Sequence, residues 1–168
     1  MNLIKKQGIG TWISLGAILL SIVALIIFGS VLSVGDNLDL VGMSEYLHKE
    51  DSVFTTVTVC GVLALVLFVA AIVLGQFKFD GILGTVVDVV VGALRVAAPA
   101  LLVVAFFNFL LGTFNGLGWT FFSDEGIGIS ETAIKAGNMT IASVVLFVVA
   151  MLAGIVASFF AITKKVED

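Results

Sequence analysis

The chain has 168 residues, of which 60% are hydrophobic and 12% are charged, and its formal net charge is −4. A soluble domain of this length cannot bury so large an apolar fraction, so a water-soluble protein is excluded. Lysine and arginine together number only eight and are scattered, so the sequence predicts no nucleic-acid binding. The composition predicts an integral membrane protein, whose first partner is the lipid bilayer.

Four long apolar runs, over residues 9–34, 52–75, 82–114 and 137–162, account for most of the chain. A hydrocarbon layer about 30 Å thick is crossed by about 20 helical residues, so each run is long enough to span it. Backbone groups in lipid have no water to bond, and solid apolar runs lack the alternation of barrel strands. We therefore predict an all-α fold, a four-helix transmembrane bundle that forms a single domain over residues 1–168.

The first run follows two lysines and has Trp12 where a headgroup anchor is expected. A basic start followed by an apolar stretch is also found in signal peptides. The stretch here is longer than the roughly 7–15 residues of a signal core, so we predict a retained span.

Lysines near the ends of the runs predict the orientation of the bundle. Five lie on the side of both chain termini and two on the opposite side: Lys5, Lys6, Lys78, Lys164 and Lys165 against Lys49 and Lys135. The positive-inside rule therefore places both termini in the cytoplasm. The excess of lysine over arginine is typical of an AT-rich bacterial genome, so we expect a multi-pass protein of the cell membrane, in a bacterial plasma membrane.

The third run carries the only charges within the four runs, Asp88 and Arg95. At about 100° per residue, these charges share an arc of about 80° with Gly84, Gly92 and Pro99. Glycines let another helix approach closely, and charges within a span usually face protein or water. These five residues therefore predict an intramembrane polar face.

Three interpretations of this face remain open. In the first, it packs inside the bundle, and Asp88 and Arg95, about 10.5 Å apart along the axis, compensate each other. In the second, residues 81–95 lie along the cytoplasmic membrane surface, the span begins at Val96, and Pro99 marks the bend. In the third, the two charges line a polar path for an ion, a proton or an anionic solute.

The fourth run contains Ala150, Gly154 and Ser158 at four-residue spacing. Small residues at this spacing permit close helix crossing. We predict a helix-packing face here, used either inside the bundle or between chains.

Sequence motifs of metalloproteases, serine hydrolases, P-loop enzymes and dithiol redox proteins are absent, and His48 has no metal-ligand spacing around it. We therefore expect no enzyme, no metal and no cofactor. The leading hypothesis is a non-enzymatic tetraspan protein that acts by helix association, as a scaffold or accessory subunit of a membrane complex. Its partner is then a membrane protein or further copies of itself. The alternative is a small oligomeric transporter or channel that uses the Asp88 and Arg95 face.

Overall fold

The computed structural model describes residues 7–35, 52–77, 79–122 and 131–163. They form four helices: α1 (Ile9–Gly35), α2 (Ser52–Leu74), α3 (Gly81–Phe122) and α4 (Glu131–Ser158). This confirms the predicted all-α, four-helix fold, and the length and apolar character of every helix indicate a membrane-embedded protein. The orientation of the termini stays a prediction. His48 and all the lysines used to orient the chain except Lys135 lie outside the described residues.

Two helices depart from the predicted bounds. The third continues to Phe122 instead of residue 114, and the fourth begins at Glu131 instead of residue 137. Hydropathy marks the part of a helix that fits lipid, whereas helical hydrogen bonds continue beyond it. Glu131 lies in the first turn, where a negative charge favours the positive end of the helix dipole. The fourth helix also ends early, at Ser158 instead of residue 162. Hydrogen bonds from neighbouring helices account for this end, as described below.

Neighbouring helices run antiparallel in a closed ring, with α1 packed mainly on α4 and α2 mainly on α3. Contacts at the glycines establish the directions. Gly112 of α3 lies against Val53 at the start of α2, and Gly137 near the start of α4 lies against Phe121. The interface between α1 and α2 is the least extensive of the four.

Buried positions recur about every 3.5 residues, which is the spacing of left-handed helix packing. In α1 they include Ala17, Ser21, Ala24, Phe28 and Val31. In α4 they include Thr140, Ser143, Phe147, Ala150, Gly154 and Ala157. Most of these side chains are small, so the helices approach closely and gain dispersion contacts, because lipid itself offers no hydrophobic drive for helix association.

A short chain of aromatic rings fills the middle of the bundle. The Phe109 ring lies edge-on to Phe28, with centroids 4.7 Å apart, and to Phe147, with centroids 6.2 Å apart. Such pairs contribute about 0.5–1.5 kcal/mol beyond their buried area. Large apolar side chains such as Leu19 and Val66 cover the outside of the bundle, as a lipid-facing surface requires.

The third helix is far longer than its neighbours. Its 42 residues extend about 63 Å, whereas the 23 residues of α2 extend about 35 Å. Both α2 and α4 end close to Arg95, so residues 81–94, which we name the α3 arm, continue about 21 Å past them. Within the α3 arm only Val91 is buried.

Candidate functional site

The polar contacts between helices concentrate at the end of the bundle where α1 begins and α4 ends. The backbone N–H of Gly8 donates to the carbonyl of Ile162 at 2.6 Å, and that of Gly10 donates to Ala161 at 3.1 Å. The Thr11 hydroxyl also donates to the Ile162 carbonyl, at 2.8 Å. A Cβ atom at Gly10 would lie 2.5 Å from the carbonyl oxygen of Phe160, so this approach requires a glycine.

Arg95 supplies the second part of this junction. Its guanidinium Nη2 donates to the carbonyl oxygens of Ala157 and Phe160, at the C-terminal end of α4. The last carbonyls of a helix have no partner within that helix, and in lipid they have no water either. A cation at a helix C-terminus also favours the negative end of the dipole. Arg95 therefore caps α4, and the helix ends there although its sequence stays apolar to Ile162.

Pro99 and Ser158 complete the same arrangement. Pro99 has no N–H, so the carbonyl of Arg95, four residues earlier, lacks its helical donor. The Ser158 hydroxyl donates to that carbonyl at 2.7 Å and thereby replaces the missing bond. The proline within α3 is thus matched by a serine on α4.

A pair of glutamine amides joins the remaining two helices. Gln7 donates to Gln76 at 2.9 Å, and Gln76 donates back at 3.0 Å, which links the start of α1 to the end of α2. We name the residues that make these bonds the terminal clasp: Gln7, Gly8, Gly10, Thr11, Gln76, Arg95 and Ser158. Through it all four helices are hydrogen-bonded together at one end.

The predicted polar face divides between two environments. Arg95 and Pro99 lie at and inside the terminal clasp, whereas Asp88 and Gly92 are exposed on the α3 arm and Gly84 is half-buried there. Arg95 bonds to the carbonyls of α4, and in the part of the chain that the structure describes no ion pair joins it to Asp88.

The predicted helix-packing face of α4 lies against α2 and α3. Ala150 and Gly154 are buried, and a Cβ atom at Gly154 would lie 2.6 Å from the Phe68 ring and 3.2 Å from Pro99. Ser158 is half-buried and bonded to Arg95. The structure thus brings Arg95 and Pro99 of one predicted set together with Gly154 and Ser158 of the other.

The buried polar side chains that the structure describes are hydrogen-bonded. Ser143 donates to the carbonyl of Ala24 across the α1–α4 interface at 2.9 Å, while Thr113 and Thr140 donate to carbonyls of their own helices. Within the described ranges, no fully buried side-chain nitrogen or oxygen lacks a hydrogen-bond partner. Those ranges also contain no group of three His, Cys, Asp or Glu side chains that could hold a metal ion.

Two open grooves lie on the outside of the bundle beside the terminal clasp. The α3/α4 groove has a volume of about 310 Å³ and is lined almost entirely by apolar atoms, from Val96, Pro99, Ala100, Val103, Ile155, Ser158 and Phe159. The second groove, about 290 Å³, lies between α1 and α2, and it is lined by Gln7, Thr11, Trp12, Leu15, Ile72, Val73 and Gln76. Both grooves face outward from the bundle.

Sequence reasoning missed the terminal clasp as a unit. Gln7 and Gln76 each flank an apolar run, and polar side chains at such positions can bond to one another when two helix ends meet. Pro99 was a further signal, because the carbonyl four residues before a proline has no helical N–H donor and needs one from outside the helix. Neither signal identifies its partner helix. The Asn108 amide donates to the carbonyl of Val104, in its own helix, at 2.9 Å.

Comparisons with known proteins leave the function to be argued from this geometry. The chain matches no protein-family model, no curated protein and no solved structure.

Proposed function

We propose that this chain is a non-enzymatic, multi-pass membrane protein that acts by helix association, as a scaffold or as an accessory subunit of a membrane complex. The α3/α4 groove is the observation that carries the proposal. The interior of the bundle supports it, since within the described ranges every fully buried side-chain nitrogen or oxygen already has a hydrogen-bond partner in the protein.

The α3/α4 groove has the shape and chemistry to receive one apolar helix. Its lining includes the larger side chains of Val96, Val103 and Ile155. It also includes the small side chain of Ala100, which lies between Val96 and Val103 along α3. Small residues between larger ones let a second helix approach closely and gain dispersion contacts. The occupant that we propose is a transmembrane helix of another membrane protein.

The remaining expectations about place and orientation belong to the same proposal. The four helices would cross the membrane as a tetraspan bundle with both termini in the cytoplasm, as the lysine distribution indicates. The membrane would be a cell membrane, and the excess of lysine over arginine favours a bacterial plasma membrane.

The proposal is tested by filling the α3/α4 groove without touching the core. Ala100→Trp places an indole in the groove, whereas Val69→Trp places the same group on an exposed face of α2. Each variant and the wild type are extracted from their native membrane in mild detergent, and the size and composition of the purified particle are measured. We expect a heteromeric particle for the wild type and for Val69→Trp, and its loss for Ala100→Trp.

Two results would contradict this proposal. One is an unchanged complex in Ala100→Trp, which would place the partner on another face. The other is a particle that contains only the 17.6 kDa chain in all three samples. A homo-oligomer whose reconstituted vesicles conduct a solute, with flux lost in Asp88→Asn, would support the transporter or channel alternative instead.

A further inference from the structure

The α3 arm exposes an apolar surface whose contact with water is unfavourable in free energy. Ile82 is 84% exposed, Leu83 69% and Val89 68%. They lie together on one helix, past the point where α2 and α4 end. A contiguous patch of this kind marks a surface that another phase or molecule covers.

The α3 arm has three distinct faces around its axis. One face, with Gly84, Val87 and Val91, lies toward the covered side and includes the contact of Gly84 with the backbone of Phe79. The second face is exposed and apolar: Ile82, Leu83, Val86, Val89, Val90 and Ala93. The third face is exposed and small or polar: Gly81, Thr85, Asp88 and Gly92. At about 100° per residue, the centres of the two exposed faces lie about 130° apart.

Exposed aromatic side chains lie at this end of the bundle. Phe77 and Phe79 precede the α3 arm with ring centroids 6.2 Å apart. Beside the terminal clasp, Phe159 directly follows α4 and Trp12 lies on α1. Aromatic side chains collect in the headgroup layer of a bilayer. Since Phe79 contacts the first turn of the α3 arm, the arm begins among residues typical of that layer.

We propose that in a bilayer α3 bends at the terminal clasp, so that the α3 arm lies in the headgroup layer as an in-plane anchor whose partner is a phospholipid surface. The Ile82, Val86 and Val89 face enters the acyl chains, and the Asp88 and Gly92 face meets water. This arrangement covers the apolar face and keeps the Asp88 carboxylate out of hydrocarbon, where a charge is costly. A helix that stood straight in water would hydrate the Asp88 carboxylate but also expose the valine side chains to water. A helix that crossed the hydrocarbon would place the valines in lipid but also bury the Asp88 charge there.

The α3 arm is a different surface from the α3/α4 groove, so the proposal for one surface can fail while the proposal for the other holds. It is tested in the full chain with Cys60→Ala as a background without cysteine, since Cys60 is the only cysteine. Single cysteines replace residues 82–93 in turn, each receives a nitroxide label, and the protein is reconstituted into phosphatidylcholine–phosphatidylglycerol vesicles. Collisions of the label with oxygen report lipid contact, and collisions with a water-soluble nickel chelate report water contact.

We expect the ratio of oxygen to nickel collisions to oscillate along the α3 arm with a period of about 3.6 residues. Lipid contact should peak at Val86, Val90 and Ala93, and water contact at Thr85, Asp88 and Gly92. Labels at Phe107 and Leu111, which are exposed on the bundle part of α3, serve as controls and should report lipid alone.

Three outcomes would overturn the inference. Uniform water contact would mean that the α3 arm stands in solution. A steady change in depth along residues 82–93 would mean that it crosses the hydrocarbon. Low contact with both reagents, together with disulfide cross-links between chains, would mean that a second copy covers it.

Discussion

The two parts of α3 have nearly the same apolar composition and very different surroundings. From Ala98 onward, the helix buries Leu102, Ala105 and Phe109 completely. In the α3 arm, Val91 alone is buried, and Leu83 is 69% exposed. The difference does not lie in hydrophobicity, because both parts could enter lipid. It arises because α2 and α4 end at the terminal clasp and leave the α3 arm without a neighbouring helix in the part of the chain that the structure describes.

This comparison shows how association is decided in a membrane protein. Lipid is as apolar as leucine, so a hydrophobic residue gains little by leaving lipid for a helix interface. The fit between side chains decides instead: Val53 packs against Gly112, and Phe68 and Pro99 pack against Gly154. A Cβ atom added at Gly92 would meet no group beyond its own stretch of helix backbone within 4 Å, so helix packing does not require a glycine there.

Matched glycine substitutions give the largest expected difference between the two parts of the fold. Gly154→Leu drives its side chain into Phe68 and Pro99, and we expect a loss of about 3 kcal/mol of unfolding free energy, the upper end of the usual range for overpacking. Gly92→Leu, in the α3 arm, should change it by less than about 0.5 kcal/mol. Unfolding in mixed micelles of mild detergent and dodecyl sulfate measures both. A stable Gly154→Leu protein would mean that α4 does not pack as described.

Matched leucine truncations test the same contrast by removing atoms. Leu102→Ala opens a cavity in a fully buried site, and we expect a loss of about 2 kcal/mol, toward the low end for buried leucine because lipid solvates the unfolded helix. Leu83→Ala on the α3 arm should leave the unfolding midpoint unchanged. Equal losses for the two variants would show that the α3 arm packs inside a protein core.

Arg95 and Asp88 separate the terminal clasp from the α3 arm by charge. Arg95→Gln removes the cap from the α4 carbonyls and should cost about 1.5–3 kcal/mol, the usual range for a hydrogen bond to a charged group. Asp88→Asn should have no effect on unfolding, because Arg95 bonds elsewhere. The double variant distinguishes this account from pairing of the two charges. It should unfold like Arg95→Gln, and recovery toward wild-type stability would instead show that the charges compensate each other.

The smallest effect concerns the bond between Ser158 and the Arg95 carbonyl. Ser158→Ala leaves that carbonyl without a donor and should cost about 1 kcal/mol. Pro99→Ala restores the helical N–H that the carbonyl otherwise lacks, so Ser158→Ala should cost almost nothing in that background. The double-mutant cycle is measured by the same unfolding assay. Additive losses would mean that the hydroxyl serves its other acceptor, the Gly154 carbonyl at 3.0 Å.

Some elements could be predicted well because their cause is local. The four helices follow from the length and hydropathy of the runs, and the start of α1 at Ile9 and of α2 at Ser52 agrees with the predicted bounds. The end of α4 could not be found in this way, because residues 159–162 are as apolar as those before them. The helix ends there because Arg95 donates to the carbonyls of Ala157 and Phe160. Gly8, Gly10 and Thr11 then donate to the carbonyls of Ala161 and Ile162, just after the helix.

The sequence was enough to predict which residues belong to the candidate site, but not how they are arranged in space. Asp88, Arg95 and Pro99 share one arc of a helical wheel, and a wheel fixes only direction around one axis. It does not say that α4 ends beside Arg95, nor that Ser158 meets the carbonyl that Pro99 leaves free.

The sequence by itself determined that this chain folds as apolar helices in lipid, because each run is long enough to cross a bilayer and satisfies its backbone internally. Only the tertiary structure decided which faces meet and where the bundle ends. Those depend on which small residue lies opposite which side chain, and on which carbonyls find a donor in another helix.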